Sequence, residues 1–257
     1  MPPPVTPRSP SQGTPLWDSE AIPAATVVVL RDAIDGVEVL LLRRDRALSF
    51  AGGMWVFPGG RIDAEDHVRP RAADPTAHDS TAPAAIDDAA LEVAARRAAV
   101  REAAEEAGLA LPPGELRRWS HWTPPPQSPK RFSTAFFVAS LPHDAPEVAI
   151  DHGEIRDHRW AAPSAVLELR DAGEVGLTPP TFITLRQLLP HRDVAAVLTH
   201  ADSLATIEHF ATRISVRDDE ILALYHGDAG YGSGDVGTTG PRHRLTMGTR
   251  WHYERTA

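Results

Sequence analysis

"REAAEEAGL", residues 101–109, places Glu102, Glu105 and Glu106 at i, i+3 and i+4 of an alanine-rich segment. On a helix these side chains share one face, and like charges at that spacing repel by about a few tenths of a kcal/mol per pair. Taken alone, such a trio reads as a solvated acidic face. The repulsion nevertheless asks for something that offsets it. Asp87 and Asp88 stand near the expected start of the segment, and Gly108 stands where a left-handed residue would close it, so a helix is predicted over 86–107. Val93, Val100, Ala104 and Ala107 fall at offsets of seven, four and three, an apolar stripe suited to packing on a sheet. Val93 lies roughly opposite Glu102 at 100° per residue. The expectation is therefore a helix that holds its glutamates outward from the core.

Upstream, "ATVVVL" (25–30) and "VEVLLLRR" (37–44) are β-branched and apolar runs separated by "RDAIDG", whose Asp-Gly pair predicts a hairpin turn. "GGMWVFPGGRID" (52–63) predicts a short strand ending in a sharp Pro-Gly-Gly turn, where the backbone can approach a neighbour closely. From 64 to about 85 the chain is polar and without periodicity, an inserted loop. Downstream, Phe132 to Ala139 predicts a central strand introduced by a Pro-rich turn. "EIRDHRW" predicts a strand followed by a helix near Pro163, with further helices at 181–189 and 203–211 and a strand near 221–225. Strands and helices mixed without regular alternation predict an α/β fold, a mixed sheet flanked by helices.

Composition narrows the function. The chain has 257 residues, 42 % apolar and 24 % charged, with a formal net charge of -9. That charge opposes bulk attraction to nucleic acid or to an anionic membrane, so an anionic substrate must be met by local cations or bound metal. No apolar run approaches the roughly 18 residues of a membrane span. No cysteine is present, which excludes disulfides and thiol nucleophiles. The twelve histidines show no ligand-like spacing. Residues 1–20 read as a flexible Pro-rich leader without the apolar core of a secretory signal, and the cytoplasm is the default location. Residues 21–226 form the expected domain, and 227–257 a Gly-rich connection with a strand-like tail. Asn is absent and Lys130 is the single lysine, a compositional skew that lowers the weight of any arginine cluster.

"REAAEEAG" followed by Leu109 resembles the second half of the Nudix box, and "FPGG" (57–60) resembles the loop that opens it. Arg101, Glu102, Glu105, Glu106 and Gly108 match position by position, and Ala103 fills an inner aliphatic position. The resemblance implies a Nudix-type α/β/α sandwich with an insertion, about 64–85, inside the box. It also implies a Mg²⁺- or Mn²⁺-dependent hydrolase of diphosphate linkages. Carboxylates suit such hard cations, which keep several waters, bridge diphosphate oxygens and activate an attacking water. By resemblance Glu102 and Glu106 are the leading metal ligands, Glu105 assists, the Gly59 carbonyl completes the shell, and Arg101 orients the glutamates. Glu102 or a loop acid such as Glu154 would be the general base, with Glu147 and Asp157 lesser candidates. The glutamate of the first half of the box is displaced: Val93 holds its slot, with Glu92 adjacent.

The interrupted box, "WTPPPQSPKRFSTAFFVASLP" and "LTPPTFITL" resemble the acyl-coenzyme A diphosphatase branch of the superfamily. That resemblance implies a nucleotide-type substrate, coenzyme A or its acyl esters, split at the diphosphate. Two positions depart from the branch: Ser133 stands where aspartate is usual, and Ser49 where arginine is. Arg43, Arg44 and Arg131 are the candidate substrate cations. Trp55, Trp119 and Trp122 suit core packing better than stacking on an adenine. ADP-ribose, NADH and dinucleotides are the alternative substrates, and a nucleotide-binding Nudix module without catalysis is the alternative function. The insert is open to two roles, a lid or a contact within a homodimer.

Overall fold

The computed structural model describes residues 17, 18, 20–67, 88–142 and 145–256. Most of the leader, most of the insert and the first two residues of the expected helix lie outside these. The predicted hairpin is formed by β1 (Ile22–Ala33) and β2 (Gly36–Arg44); Ile34 and Asp35 make the turn, Ala33 pairs with Gly36 and Leu30 with Val39. The Pro-Gly-Gly segment gives β3 (Trp55–Val56) and β4 (Gly59–Arg61). Then come α1 (Asp88–Ala107), β5 (Arg117–Thr123), β6 (Phe132–Ser140) and β7 (Ile155–Ala161). Three helices follow, α2 (Pro163–Asp171), α3 (Pro179–Leu188) and α4 (Val194–Ser203). The remaining strands are β8 (Glu208–Ala211), β9 (Arg213–Arg217), β10 (Glu220–Leu224), β11 (His243–Met247) and β12 (Trp251–Arg255).

Strands in the main sheet run in the order β3, β2, β1, β6, β5, β8, with β4 paired to β1 and β7 to β2. β6 runs parallel to β1 and β8 parallel to β5, while the other pairs are antiparallel, so the sheet is mixed. Period-two alternation sorts its two faces. Val27, Val29, Leu40 and Phe137 pack with the alanines of α1, whereas Val28, Leu30, Val39 and Val138 pack with α2, α3 and α4. A second sheet, β9 to β12, continues past residue 227 and joins the second of these cores through Ala223 and Leu245. Among the described residues no helix is long and apolar enough to cross a membrane.

Several expectations need correction. Residues 203–211 are not a helix: α4 ends at Ser203, and Glu208–Ala211 forms β8. Asp193 caps α4 by accepting from the Ala196 amide, which fixes the start of the helix nine residues earlier than expected. The Ile-Glu-His-Phe run is then free to pair with β5. The stripe on α1 is also different, because Val93 is 42 % exposed and Ala104 is exposed, while Ala95, Ala98, Ala99, Ala103 and Ala107 are fully buried. Small side chains let the helix lie close to the sheet and leave the bulkier valine outside. Glu106 shares that alanine face, so the glutamates are not all held outward. Gly108 does close the helix, at φ +69°, with its own N–H and that of Leu109 satisfying the Ala104 and Ala103 carbonyls. Trp55, Trp119 and Trp122 are core residues, and Trp122 stacks on Phe210 with ring centroids 4.0 Å apart.

His121, fully buried on β5, links this strand to its neighbours. The Arg118 guanidinium, 2.7 Å away, donates to Nδ1, so Nε2 carries the proton and donates to Ser133 Oγ at 2.8 Å. Burial, with Arg118 beside it, pushes the imidazole down to about 2 from 6.5. Below pH 6.5 the unfolded chain binds a proton that the folded chain refuses, so stability falls as pH drops through that value. His121→Gln is expected to make the fall shallower by about 1.4 kcal/mol per pH unit. Urea unfolding of both proteins at pH 6.5 and 5.0 measures it, and equal slopes would refute the assignment.

Candidate functional site

The glutamates of α1 meet the Pro-Gly-Gly turn because β4 pairs with the first half of β1 and lies against the last turns of the helix. Gly59 donates its N–H to Glu106 Oε2 at 3.0 Å. Gly60 abuts Glu102 so closely that a Cβ there would sit 2.3 Å from Oε1, and one on Gly59 would sit 2.5 Å from the Ala25 carbonyl. At Gly59 the clash is with backbone, so glycine is required there, whereas a side chain at position 60 would push the Glu102 carboxylate out of place.

Arg101 answers the repulsion among the acids. Its Nη1 donates to Glu102 Oε1 at 2.9 Å and to Glu105 Oε2 at 3.0 Å. Nε and Nη2 donate to the two oxygens of Asp66, at 3.2 and 2.9 Å, and Nη2 also reaches the Arg61 carbonyl. Hydrogen bonding to Asp66 holds the guanidinium firmly in its charged form. Asp66 is buried in a short 3₁₀ turn, Ala64–Asp66, and accepts from the Asp63 amide. Sequence reading missed both aspartates because they fall where the polar insert begins. The Asp-x-x-Asp spacing of a helix-start motif was the available signal.

Arg44 supplies the second cation. Its guanidinium lies 3.6 Å from Glu106 Oε1 and 2.9 Å from Glu154 Oε2. The structure thus brings together Arg44, Gly59, Arg101, Glu102, Glu105, Glu106 and Glu154. Arg43, one residue along β2, faces the other way, 3.4 Å from Asp157 and over the Trp55 ring. Arg131 is drawn to the N-terminal segment, where it pairs with Asp18 at 2.5 Å and Glu20 at 3.7 Å. Neither touches the acidic cluster. Glu92 pairs with Arg96 and Arg118.

Exposure separates the carboxylates. The Glu102 and Glu106 side chains are 13 % and 8 % exposed, those of Glu105 and Glu154 59 % and 60 %. Burial raises the Glu102 carboxyl and pushes that of Glu106 up to about 8, against the pull of the Gly59 amide and Arg44. Two desolvated carboxyls of this kind, beside a glycine backbone, are donors suited to a hard divalent cation. Among the described residues, no three acidic or histidine side chains already converge as a metal-holding group. The oxygens are instead held by Arg101, Arg44 and the Gly59 amide.

Beside the cluster lies a cavity of about 370 Å³. Arg44, Gly59, Gly60 and Arg61 form its border with the acids, and its aromatic lining is Phe50, Phe57, Trp122, Phe132 and Phe136. Such a concave, largely apolar space with a few convergent polar groups suits a small organic ligand.

Residues 113–188 match the model of the NUDT19 Nudix domain. The acyl-coenzyme A diphosphatases NUDT19 of Homo sapiens and Xenopus laevis are each 29 % identical to the chain over 120 residues. The aligned region is 45 % of this chain and 32 % of the human protein, and 44 % and 31 % for the Xenopus protein. The chain therefore spans about a third of the length of these relatives. A NUDIX hydrolase from Alicyclobacillus acidocaldarius superposes with a TM-score of 0.58 at 24 % identity, covering 73 % of this chain and 97 % of that one. This likeness establishes the fold.

Proposed function

We propose that this chain, which has the Nudix fold and resembles the acyl-coenzyme A diphosphatase branch of that superfamily, hydrolyses the diphosphate linkage of coenzyme A or its acyl esters. One observation carries the reading: the buried carboxylates of α1 and an open-mouthed, largely apolar cavity share a border at Gly59-Gly60 and Arg44. A diphosphate on that border would have the acids on one side and room for an organic group on the other.

Glu102 and Glu106 would hold a Mg²⁺ or Mn²⁺ ion, with Glu105 and the Gly59 carbonyl assisting. When bound, the cation neutralises diphosphate charge and lowers the pKa of water. Arg101 keeps Glu102 and Glu105 in position through the Asp66 anchor. Arg44 orients Glu154, and as charge builds on the diphosphate its guanidinium is placed to turn toward a phosphate oxygen. Glu154, the more exposed acid, takes the proton from water as the new P–O bond forms and the bridging P–O bond breaks. The proton passes to solvent, and two phosphomonoesters leave.

A product-resolved assay with Mg²⁺ or Mn²⁺ tests this on coenzyme A, acyl-coenzyme A, ADP-ribose and dinucleotides. Adenosine 3′,5′-bisphosphate and a phosphopantetheine fragment are the expected products. No phosphomonoester from any substrate would refute hydrolysis, and release from ADP-ribose or dinucleotides alone would refute the coenzyme A assignment.

A further inference from the structure

We infer that the cavity takes the uncharged half of the substrate, the pantetheine arm with its acyl group, and that Ile214, Ala223 and Met247 of the second sheet set how much acyl chain it accepts. The inference rests on the proposed diphosphatase reading and adds an orientation and a specificity wall to it. All three residues lie beyond 188, outside the segment that matches the family model.

Charge decides the orientation. Among the described residues, the charged ones lining the cavity are Arg44 and Arg61, and both belong to its border with the acids. Elsewhere the lining consists of aromatic and aliphatic side chains, prolines, glycines and hydroxyl groups such as Thr134 and Thr181. A phosphorylated ribose placed there would lose its hydration without gaining a cation, which is unfavourable for a buried unpaired charge. The pantetheine arm carries no charge, its amides can use the threonine and serine hydroxyls, and an acyl chain gains from apolar burial.

Topology explains why the second sheet limits length. The lining crosses from β4 through β1 and β6 to β5, three strand spacings or about 14 Å. β8 borders the far side of β5, and the chain runs from it through Thr212 into the second sheet, whose Ile214 on β9, Ala223 on β10 and Met247 on β11 also line the cavity. A group anchored by its phosphates at β4 meets these side chains last. Ile214 is 44 % exposed, so a larger residue fits there without crowding the core.

The test uses the full chain and two variants that leave the acids untouched. Ile214→Trp narrows the wall and Met247→Ala widens it. KM for long-chain acyl-coenzyme A is expected to rise about tenfold in Ile214→Trp, while kcat/KM for unacylated coenzyme A stays within about twofold. Met247→Ala is expected to shift the preferred acyl chain to a longer one. Binding without turnover gives a second readout, since Trp122 lines the cavity. An acyl-pantetheine should alter the emission that Trp122→Phe removes, and adenosine 3′,5′-bisphosphate should not. An active enzyme with unchanged chain-length preference, or a Trp122 signal raised by the bisphosphate, overturns this inference alone. Absence of turnover on every substrate overturns the diphosphatase reading, and the Trp122 titration still decides the occupant of the cavity.

Discussion

Glu106→Gln is expected to lower kcat/KM for diphosphate hydrolysis on the order of a thousand-fold, the loss of several kcal/mol of metal-derived transition-state stabilisation. Glutamine keeps the size of the side chain and an oxygen for the Gly59 amide, so lost activity would report lost charge rather than lost shape. Stability should move the other way. The Glu106 carboxyl sits at about 8 in the folded chain against the usual 4.5, so the folded state retains its proton across that interval. Stability therefore falls as pH rises from about 4.5 to about 8. The variant lacks this contribution and should gain Tm relative to the parent at pH 8.5 but not at pH 4.5. Mg²⁺ or Mn²⁺, which bind the charged form, should restore the parent at the higher pH and leave the variant unchanged. Activity within about threefold of the parent would remove Glu106 from the machinery.

Arg244→Met is expected to cost about 3–5 kcal/mol, the penalty of leaving a buried charge without its partner. Arg244 Nε and Nη2 donate to the two oxygens of Asp228 at 2.7 and 2.6 Å, and both side chains are almost wholly buried. The His243 and Gly230 amides complete the carboxylate, at 2.9 and 2.8 Å, and Arg244 Nη1 reaches the Val236 carbonyl. Burial pushes the Asp228 carboxyl up, yet Arg244 and the two amides outweigh it and hold the group below its usual range. This pair pins the Gly-rich segment after Gly227 to β11, and so fixes the sheet that supplies Ala223 and Met247 to the cavity. A Tm drop of roughly 10 °C is the corresponding thermal shift. Asp228→Asn in the same background should recover part of it, because a neutral amide leaves no unpaired charge. A drop under about 2 °C would show that the ion pair adds little beyond the amide contacts.

Local signals were legible where one element contains its own evidence. The Asp-Gly hairpin, the apolar run of β6 and the glycine that ends α1 were each read from a few neighbouring residues. The acidic triad was legible for the same reason, since helical spacing alone puts Glu102, Glu105 and Glu106 together. Position along the helix did not reveal which side is buried. A face made of alanine gives little apolar contrast, so Val93 attracted the stripe and Glu106 was misplaced outward. Residues 203–211 failed similarly, because the partner that makes Glu208–Ala211 a strand is β5, some 90 residues earlier.

By itself the sequence determined the order of carboxylates, the glycines that admit them and the mixed α/β class, all properties of spacing and backbone freedom. Tertiary structure alone decided that Arg101 rests on Asp66 across 35 residues, that Arg44 rather than Arg43 or Arg131 meets the acids, and that β9 to β11 wall the cavity. The physical reason is the same in each case. Burial and charge pairing depend on what arrives from elsewhere in the chain, and a local pattern carries no record of that arrival.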